Sequence, residues 1–247
     1  MEAYWMMWKV FAGMGLGVIP ILLLIPAPYG KFTRNGWGPK VSGKISWIIQ
    51  EAPCFFYAIY YMSETPNLPP ESFCLLVIFA IHYYQRAFIY GYLMSNQSVT
   101  TIPVVISALF FNLVNGYLQC AGIVEYDKPN TTEWSPRFSI GIFIWALGCL
   151  LNVHCDHILR TLRQPGEHGY KIPNGGVFKY VSAANYFTES IEWLGWGIAC
   201  QNWSGWLFLV LTISNLLPRA ISQHKWYQEK FNEYKSLNRK AYIPFIL

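Results

Sequence analysis

Residues 138–159 read FSIGIFIWALGCLLNVHCDHIL, and this run decides the fold of the chain. A hydrophobic run of about 20 residues is the length that an α-helix needs to cross a lipid bilayer. Asn152 and Asp156 lie four residues apart within it, so their side chains share one stripe of the predicted helix. Asn185 and Glu189 repeat that spacing further along the chain. Polar groups in hydrocarbon usually face a cavity or a partner, so the two stripes predict the wall of a polar ligand site.

The composition of the whole chain is that of a membrane protein. Of its 247 residues, 53% are hydrophobic, 18% are aromatic and only 13% are charged. No internal repeat or long linker divides the chain. We therefore predict an all-α fold in which residues 1–247 form one multi-pass membrane domain with seven transmembrane helices. The predicted spans are residues 5–25, 46–62, 73–94, 101–123, 138–159, 177–200 and 203–217.

The placement of charge predicts the orientation of these spans. With the N-terminus outside, most lysines and arginines fall in cytoplasmic segments, whereas the opposite loops are mainly acidic, so the C-terminus is predicted to be cytoplasmic. The cytoplasmic cations include Lys31, Arg34, Lys40, Lys44, Arg160, Arg163, Lys171, Arg219, Lys225, Lys230, Lys235, Arg239 and Lys240, and Lys128 and Arg137 lie opposite. The net charge of +5 is thereby explained without a nucleic-acid partner. The six cysteines have no paired spacing, so no disulfide framework is expected.

Four consecutive residues after Asn152 carry groups that bind zinc in other proteins. They are His154, Cys155, Asp156 and His157. Consecutive side chains on a helix point around most of its circumference, and only His154 and His157 share a face. We therefore expect no metal site.

Two predicted spans contain further ionisable groups. Glu51 follows Gln50 inside the second span, where the carboxyl is either satisfied by a neighbouring helix or acts as a protonated hydrogen-bond donor. In the third span Tyr83, Arg86 and Tyr90 occur at i, i+3 and i+7, which places them on one face of an α-helix. An arginine at this depth needs an anionic or carbonyl partner, which favours a functional role for Arg86.

The loop after the fifth span combines cations with flexible backbone. Arg160, Arg163 and Lys171 accompany the turn Gln164-Pro165-Gly166 and the glycines Gly169, Gly175 and Gly176. Cations and closely approaching backbone amides suit a phosphorylated ligand. The alternative is a basic cytoplasmic loop without a ligand, which leaves the polar stripes of the flanking helices unexplained. The basic C-terminal tail either covers this loop or lies on anionic lipid.

Three stretches of the sequence resemble the steroid 5α-reductase family. They are LRQPGEHGYKIPNGGVFKYVSAAN at residues 162–185, ESIEW at residues 189–193 and AYIPFIL at residues 241–247. The similarity runs from about Tyr29 to the C-terminus, and we expect a bacterial member. Members of this family are multi-span membrane enzymes that reduce the C4=C5 double bond of 3-oxo-Δ4 steroids with NADPH. The resemblance therefore implies a membrane oxidoreductase with a steroid substrate and NADPH as its cofactor.

The resemblance also implies roles for particular residues. Glu51 and Tyr83 match the pair that grips the steroid 3-keto oxygen, and Trp47 and Gln50 are expected beside them in a steroid pocket formed mainly by the first four helices. An NADPH site is expected mainly from the last three helices and the cytoplasmic loops. The implied cofactor contacts are Arg86, Tyr90, Asn152, Asp156, Arg163, Tyr170, Lys171, Asn185, Glu189, Arg219, His224 and Tyr227.

The chain departs from the family pattern at several cofactor positions. Lys171 stands where relatives have arginine, which keeps the charge but loses the bidentate fork. Met94 and Ser95 replace an asparagine and a nearby arginine of animal members, and Gln223 replaces a histidine, with His224 adjacent.

Two other functions stay open at this point. One is reduction of another conjugated lipid, such as a polyprenal or an enoyl thioester, because cofactor residues do not define the acceptor. The other is a non-catalytic sterol or lipid carrier, for which the polar stripes have no evident use. In each case we expect a monomer in a bacterial inner membrane or the endoplasmic reticulum.

Overall fold

A computed structural model of the protein describes residues 1–25, 32, 36–95, 98–127, 134–163, 167 and 169–247. Several features of the sequence lie outside these residues. They are the turn Gln164-Pro165-Gly166, the loop cations Lys31, Arg34 and Lys128, Glu133, and Tyr29, where the family resemblance begins.

The described residues form seven long helices, one at each of the seven predicted spans, although only five of them qualify as membrane spans. They are α1 (Glu2–Leu24), α2 (Gly43–Glu64), α3 (Pro70–Leu93), α4 (Ile102–Tyr126), α5 (Pro136–Thr161), α6 (Ala184–Cys200) and α7 (Trp203–Lys230). Five of them are long and apolar enough to cross a bilayer, namely α1, α3, α4, α5 and α7. A small antiparallel sheet pairs β1 (Lys40–Ser42) with β2 (Val99–Thr101). The fold is therefore nearly all-α, and five of its helices are candidate membrane spans.

The predicted sixth span, residues 177–200, begins too early. α6 starts only at Ala184, after a short 3₁₀ helix at Gly176–Lys179. Gly175 and Gly176 have φ angles of 99° and 47°, in the left-handed region that glycine adopts without strain. The apolar letters after them therefore form a turn instead of the first turn of the helix.

The predicted seventh span, residues 203–217, ends too early. α7 continues through Pro218 to Lys230 and is 28 residues long. A proline inside a helix removes one backbone hydrogen bond but does not always end the helix. The sequence becomes less hydrophobic after Leu217, but the helix continues.

Two helices contain π-helical turns, in which backbone hydrogen bonds join residues five apart. In α3 the π-helical turn covers Tyr84–Tyr90, and in α4 it covers Gly122–Tyr126. Such turns are rare and occur frequently at functional sites. The first of them contains Arg86 and Tyr90, so the α-helical spacing used above does not hold along that segment.

Helices α5 and α6 approach each other more closely than ordinary side chains allow. A Cβ atom added to Gly148 would collide with the backbone of Glu192, and one added to Gly195 would collide with the backbone of Trp145. Small residues at such contacts are what permit close packing of membrane helices. The side chain of Asn152 therefore reaches α6, where its Nδ2 donates to the carbonyl oxygen of Asn185 at 2.8 Å. The predicted facing of the two polar stripes is confirmed.

Candidate functional site

Arg86 lies at the centre of a buried cluster of charges between α3, α5 and α6. Its Nη1 donates to Oδ2 of Asp156 at 2.9 Å, and its Nη2 lies 3.8 Å from Oε2 of Glu189. The Arg86 side chain is 15% exposed and that of Asp156 only 5%. The anionic partner that a deep arginine requires is therefore supplied by the protein itself.

Aromatic rings enclose the same guanidinium from α2 and α3. The Arg86 guanidinium lies 4.9 Å from the ring centre of Trp47 and 4.7 Å from that of Tyr90. Trp47 Nε1 also donates to the carbonyl oxygen of Arg86 at 3.1 Å, which fixes the indole against the π-helical turn. These contacts hold the cation by packing and by cation–π attraction as well as by charge. Trp47, which is expected in the steroid pocket, therefore also contacts Arg86.

The charge balance of this cluster limits what it can bind. One arginine faces two carboxylates, Asp156 and Glu189, which leaves an excess of acceptor oxygens. Carboxylates accept hydrogen bonds from hydroxyl and amide groups and repel phosphates. This end of the site therefore suits the hydroxyl or amide groups of a polar ligand.

Glu51 and Tyr83 lie together in the interior, next to the Arg86 cluster. Glu51 contacts the side chain of Asn112 and is coupled electrostatically to Arg86. Tyr83 is 3% exposed, its phenol contacts Cys54 and Asn115, and the Glu51 carboxyl acts on it electrostatically. The structure thus brings the two residues to one buried region between α2, α3 and α4. Gln50, one residue before Glu51, is also buried on α2.

The π-helical turn separates Tyr83 from the two residues predicted to share its face. Tyr83 faces α2 and α4, whereas Arg86 and Tyr90 contact each other and turn toward Trp47 and Asp156. The prediction of a single face is therefore wrong in its geometry. The three side chains nevertheless line adjoining parts of one interior region.

Asn112, Asn115 and Gln119 form a polar stripe on α4 that the sequence analysis did not single out. All three are buried, and Gln119 donates from Nε2 to the carbonyl oxygen of Ser204 at 2.7 Å. Gln119 Oε1 accepts a hydrogen bond from Trp196 Nε1 at 2.9 Å. The spacing of i, i+3 and i+7 in an apolar helix is the signal that could have revealed it.

A second buried pair lies beside Tyr83. His82 Nδ1 and Oε1 of Glu192 are 2.6 Å apart, and Glu192 is 0% exposed. Its other oxygen, Oε2, is buried and makes no hydrogen bond among the described residues. Cys149 adds a third group, and one ligand atom from each residue lies within 4.8 Å of the others. The hydrogen bond to His82 therefore pairs only one of the two Glu192 oxygens.

The predicted phosphate loop is exposed, in contrast to the Arg86 cluster. Arg163 Nη1 donates to the carbonyl oxygen of Gly169 at 3.2 Å, and its guanidinium lies 5.8 Å from the ring centre of Tyr170. Lys171 Nζ lies 2.5 Å from Glu167 Oε2, and both side chains are at least 40% exposed. These residues are held together by local contacts, within reach of solvent.

Arg219 and Tyr227 lie on α7, and Arg219 lies beside the start of α6. Arg219 Nη2 donates to the Tyr186 hydroxyl at 2.6 Å, and its guanidinium lies 4.7 Å from the same ring. Tyr227 is buried and stacks on Tyr234, with ring centres 5.1 Å apart. Tyr186 belongs to α6, so Arg219 connects the two helices near Asn185.

His224 lies where α7 meets the C-terminal tail, and it packs on Tyr234, as Tyr227 does. Its Nδ1 is 2.5 Å from Oγ of Ser182, and its Nε2 is 2.8 Å from Nε2 of Gln228. Ser182 belongs to the segment that pairs with the C-terminal tail through a bridge between Val181 and Lys240. The structure therefore groups His224 with the tail. Gln223, which replaces a family histidine, donates to the carbonyl oxygen of Ser182 at 2.9 Å.

The C-terminal tail covers the glycine-rich segment, as one of the two predicted alternatives has it. Arg239 Nη1 donates to the carbonyl oxygen of Pro173 at 2.7 Å, and Nη2 donates to Oδ1 of Asn174 at 3.3 Å. Burial lowers the pKa of the Arg239 guanidinium below its ordinary value. The tail is thus part of the folded protein beside the site.

Apolar helices around a buried cluster of charges define a membrane-embedded protein with a polar site in its interior. A family model described as 3-oxo-5-alpha-steroid 4-dehydrogenase matches residues 98–247. The chain is 38% identical to a steroid 5-alpha-reductase DET2 of Gossypium hirsutum, over 91% of this chain and 90% of the relative. It is 40% identical to a 3-oxo-5-alpha-steroid 4-dehydrogenase 1 of Rattus norvegicus, over 90% of this chain and 87% of the relative.

A second plant relative, the steroid 5-alpha-reductase DET2 of Arabidopsis thaliana, is 39% identical over 98% of this chain and 95% of its own length. The chain belongs to the steroid 5α-reductase family and is an oxidoreductase acting on CH–CH bonds. The family resemblance of the three sequence stretches is confirmed.

Proposed function

We propose that this chain reduces the C4=C5 double bond of 3-oxo-Δ4 steroids to 5α-3-oxosteroids, with NADPH as the reductant. The observation that carries the proposal is the pair formed by the half-buried Glu51 and the buried Tyr83 beside the Arg86 cluster, in a chain whose relatives are named steroid 5-alpha-reductases.

Glu51 and Tyr83 are the groups proposed to polarise the substrate. Addition of hydride to C5 moves electrons through the C4=C5 bond, so negative charge develops on the oxygen at C3. The Tyr83 hydroxyl and a protonated or proton-sharing Glu51 would donate to that oxygen more strongly as its charge grows. Interactions that strengthen in the transition state are those that raise the rate. C4 would then take a proton from water.

The residues around the Arg86 cluster fit the hydroxyl and amide groups of a nicotinamide nucleotide in their hydrogen-bonding chemistry. When bound, NADPH supplies the hydride that C5 accepts. Asp156 and Glu189 would accept hydrogen bonds from hydroxyl and amide groups, while Asn152 and Asn185 keep α5 and α6 together at that point. Arg86 would hold the two carboxylates in place, with Tyr90 packed on its guanidinium.

The exposed cations would hold the phosphates of the same nucleotide. Arg163 and Lys171 combine positive charge with free access from solvent, and Tyr170 packs against Arg163. Arg219 and Tyr227 would extend this surface along α7. We also propose His224 as a contact only at its margin, because it faces the tail.

The proposed arrangement in the membrane follows from charge and from the site. We propose seven spans, an N-terminus outside and a cytoplasmic C-terminus, so that NADPH reaches the loop from the cytoplasm. The steroid would enter among the first four helices, including Trp47 and Gln50 of α2, and the nucleotide would lie mainly against the last three. The protein would act as a single-domain monomer in a bacterial inner membrane or the endoplasmic reticulum.

The replacement Tyr83→Phe tests this assignment. Loss of one donor to a developing oxyanion typically lowers the rate by about 10² to 10³, and NADPH affinity should be nearly unchanged. Turnover of a 3-oxo-Δ4 steroid would be followed at the enone absorbance, and NADPH affinity by direct titration. Tyr84→Phe is a matched control, because that neighbouring tyrosine is 51% exposed. Equal loss of NADPH affinity in Tyr83→Phe would remove Tyr83 from the carbonyl site.

The same assay separates the two remaining functions. A reductase of polyprenals or enoyl thioesters would leave the steroid enone intact while consuming NADPH with its own acceptor. A sterol or lipid carrier would bind steroid and leave NADPH unconsumed. A carrier of apolar molecules would have no evident use for the buried Asp156 and the half-buried Glu189.

A further inference from the structure

We propose that Asn115 is a positioning residue that directs the hydroxyl proton of Tyr83 toward the carbonyl oxygen of the substrate. This role rests on the proposed function, in which Tyr83 donates to the oxygen at C3 of the steroid. A tyrosine hydroxyl both donates and accepts hydrogen bonds, so its own chemistry leaves the direction of its single proton open. The groups around Tyr83 therefore determine whether that proton faces the substrate or the protein.

The direction of the hydrogen bonds is fixed first at Gln119, which lies one turn of α4 after Asn115. An indole N–H can only donate, and a backbone carbonyl oxygen can only accept. Trp196 Nε1 lies 2.9 Å from Oε1 of Gln119, and the carbonyl oxygen of Ser204 lies 2.7 Å from its Nε2. Both contacts are satisfied in one orientation of the Gln119 amide, in which Nε2 points its hydrogens toward Ser204 and Asn115.

The orientation of Gln119 determines that of Asn115. Gln119 Nε2 donates its second hydrogen to Oδ1 of Asn115 at 3.3 Å. Because the oxygen of the Asn115 amide faces Gln119, its Nδ2 faces the other way, where the side chain contacts the phenol of Tyr83. Nδ2 is buried, and within the part of the chain that the structure describes it makes no hydrogen bond of ordinary geometry. A buried donor needs an acceptor, and the Tyr83 oxygen is in place to become one when substrate binding tightens the site.

A donor at Asn115 determines where the Tyr83 proton goes. The amide nitrogen has no acceptor capacity, so Tyr83 accepts from it and must donate elsewhere. The phenol also contacts Cys54, whose Sγ donates its own hydrogen to the carbonyl oxygen of Asn112 at 3.2 Å. Cys54 therefore offers Tyr83 only sulfur, which is a weak acceptor. A substrate oxygen that gains negative charge is a stronger acceptor, so it receives the Tyr83 proton.

A structural tie between α3 and α4 is the alternative role of Asn115. A tie of that kind would stabilise the fold, and its loss would lower activity whether or not residue 83 carries a hydroxyl. A positioning role acts only through the Tyr83 proton. The two roles therefore differ in whether the effect of replacing Asn115 depends on Tyr83.

The test is a double-mutant cycle that combines Asn115→Leu with Tyr83→Phe in full-length protein in detergent. Leucine is close to asparagine in shape and cannot donate. Asn115→Leu alone should lower kcat for a 3-oxo-Δ4 steroid by roughly tenfold, while KM and NADPH affinity change by less than about twofold. When Tyr83→Phe is already present, Asn115→Leu should change kcat by less than about twofold, because no phenol proton is left to direct.

Tyr4→Phe is the matched control. The Tyr4 hydroxyl donates to the carbonyl oxygen of Leu118 on the same helix and also contacts the Ser204 hydroxyl. Its removal deletes a buried hydrogen bond of α4 without removing either amide, Asn115 or Gln119. Tyr4→Phe should lower Tm and leave kcat within about twofold of wild type.

A second variant keeps the test decisive if Asn115→Leu does not fold. Gln119→Met removes the group that orients Asn115, so it should lower kcat by roughly threefold, and again only when Tyr83 is present. An unchanged kcat in the folded Asn115 or Gln119 variant overturns the positioning role, and so does a loss that is equally large beside Tyr83→Phe. If Tyr83→Phe alone leaves turnover unchanged, Tyr83 is not the carbonyl donor, and the proposed function of that residue fails together with the role of Asn115.

Discussion

Two groups of charged residues lie in opposite surroundings. The Arg86 cluster (Arg86, Asp156 and Glu189) lies in the interior, and the Arg163 loop (Arg163, Glu167 and Lys171) is exposed. Arg86 is 15% exposed and is held by Asp156 at 2.9 Å, whereas the Lys171 and Glu167 pair of the loop is at least 40% exposed. A buried pair whose partner is lost leaves a charge in a medium that solvates it poorly. An exposed pair that loses its partner exchanges it for water at little cost. The stability of the fold therefore depends on the Arg86 cluster. The charged groups of the Arg163 loop can exchange their partners for a ligand at little cost in stability.

The largest difference in stability between the two regions is expected when one acidic partner is removed from each. Asp156→Asn should lower the free energy of unfolding by about 3–5 kcal/mol, because the Arg86 charge stays in the interior without its nearest carboxylate and with only the more distant Glu189 and Glu51 to balance it. Glu167→Gln should cost about 1 kcal/mol or less. Thermal or denaturant unfolding in detergent measures both. Equal effects would show that burial does not distinguish the two regions.

A smaller loss of stability is expected from forcing apart α5 and α6, the helices that carry Asp156 and Glu189. Gly148→Ala places a methyl group against the backbone of Glu192, and overpacking of this kind costs about 1–3 kcal/mol. Gly17→Ala is the matched control, since nothing lies within 4 Å of that position in α1. The control should be neutral or slightly stabilising, because alanine favours helix more than glycine does. Unfolding of both variants in the same detergent makes the comparison.

Salt should weaken NADPH binding at the Arg163 loop and leave the contribution of the Arg86 cluster to stability unchanged. If Arg163 holds a phosphate of NADPH, raising the ionic strength from about 0.05 M to about 0.5 M should weaken NADPH binding by roughly tenfold. Arg163→Gln should bind more weakly at low salt and depend less on salt. The destabilisation caused by Asp156→Asn should be the same at both salt concentrations. An identical salt dependence of NADPH binding in wild type and Arg163→Gln would remove Arg163 from the phosphate site.

The smallest effect is expected from restoring the residue that relatives have at position 171. Lys171→Arg keeps the charge and adds a bidentate fork, so affinity for NADPH should rise by about threefold while affinity for NADH stays unchanged. Titration of both nucleotides gives the ratio. A similar gain for NADH would mean that position 171 does not contact the additional phosphate of NADPH.

Local spacing in the sequence was enough to predict the walls of the site. The four-residue repeats of Asn152 with Asp156 and of Asn185 with Glu189 place polar groups on helix faces, and the structure joins the two faces. The same rule applied to α4 would have found Asn112 and Asn115. Spacing says which side chains share a helix face and not which helices become neighbours. The identity of the Arg86 partner therefore required the three-dimensional packing.

Backbone geometry accounts for the errors in the sequence predictions. Gly175 and Gly176 adopt positive φ angles that an apolar pattern does not reveal, so the start of α6 was misplaced. The π-helical turn at Tyr84–Tyr90 has no clear signature in composition, so Tyr83 was assigned to the wrong face. Each error reflects a local conformation set by packing beyond the segment itself.

The π-helical turn also makes α3 sensitive to its own length. Deleting one residue between Tyr84 and Tyr90 would allow ordinary i→i+4 bonding to return, and every later side chain of the helix would turn by about 100°. If the part of α3 after the deletion rotates, Arg86 loses its contacts with Asp156 and Glu189. If the part before the deletion rotates, Tyr83 leaves its position in the interior. A chain-shortening scan across these seven positions would locate the register on which the whole interior depends.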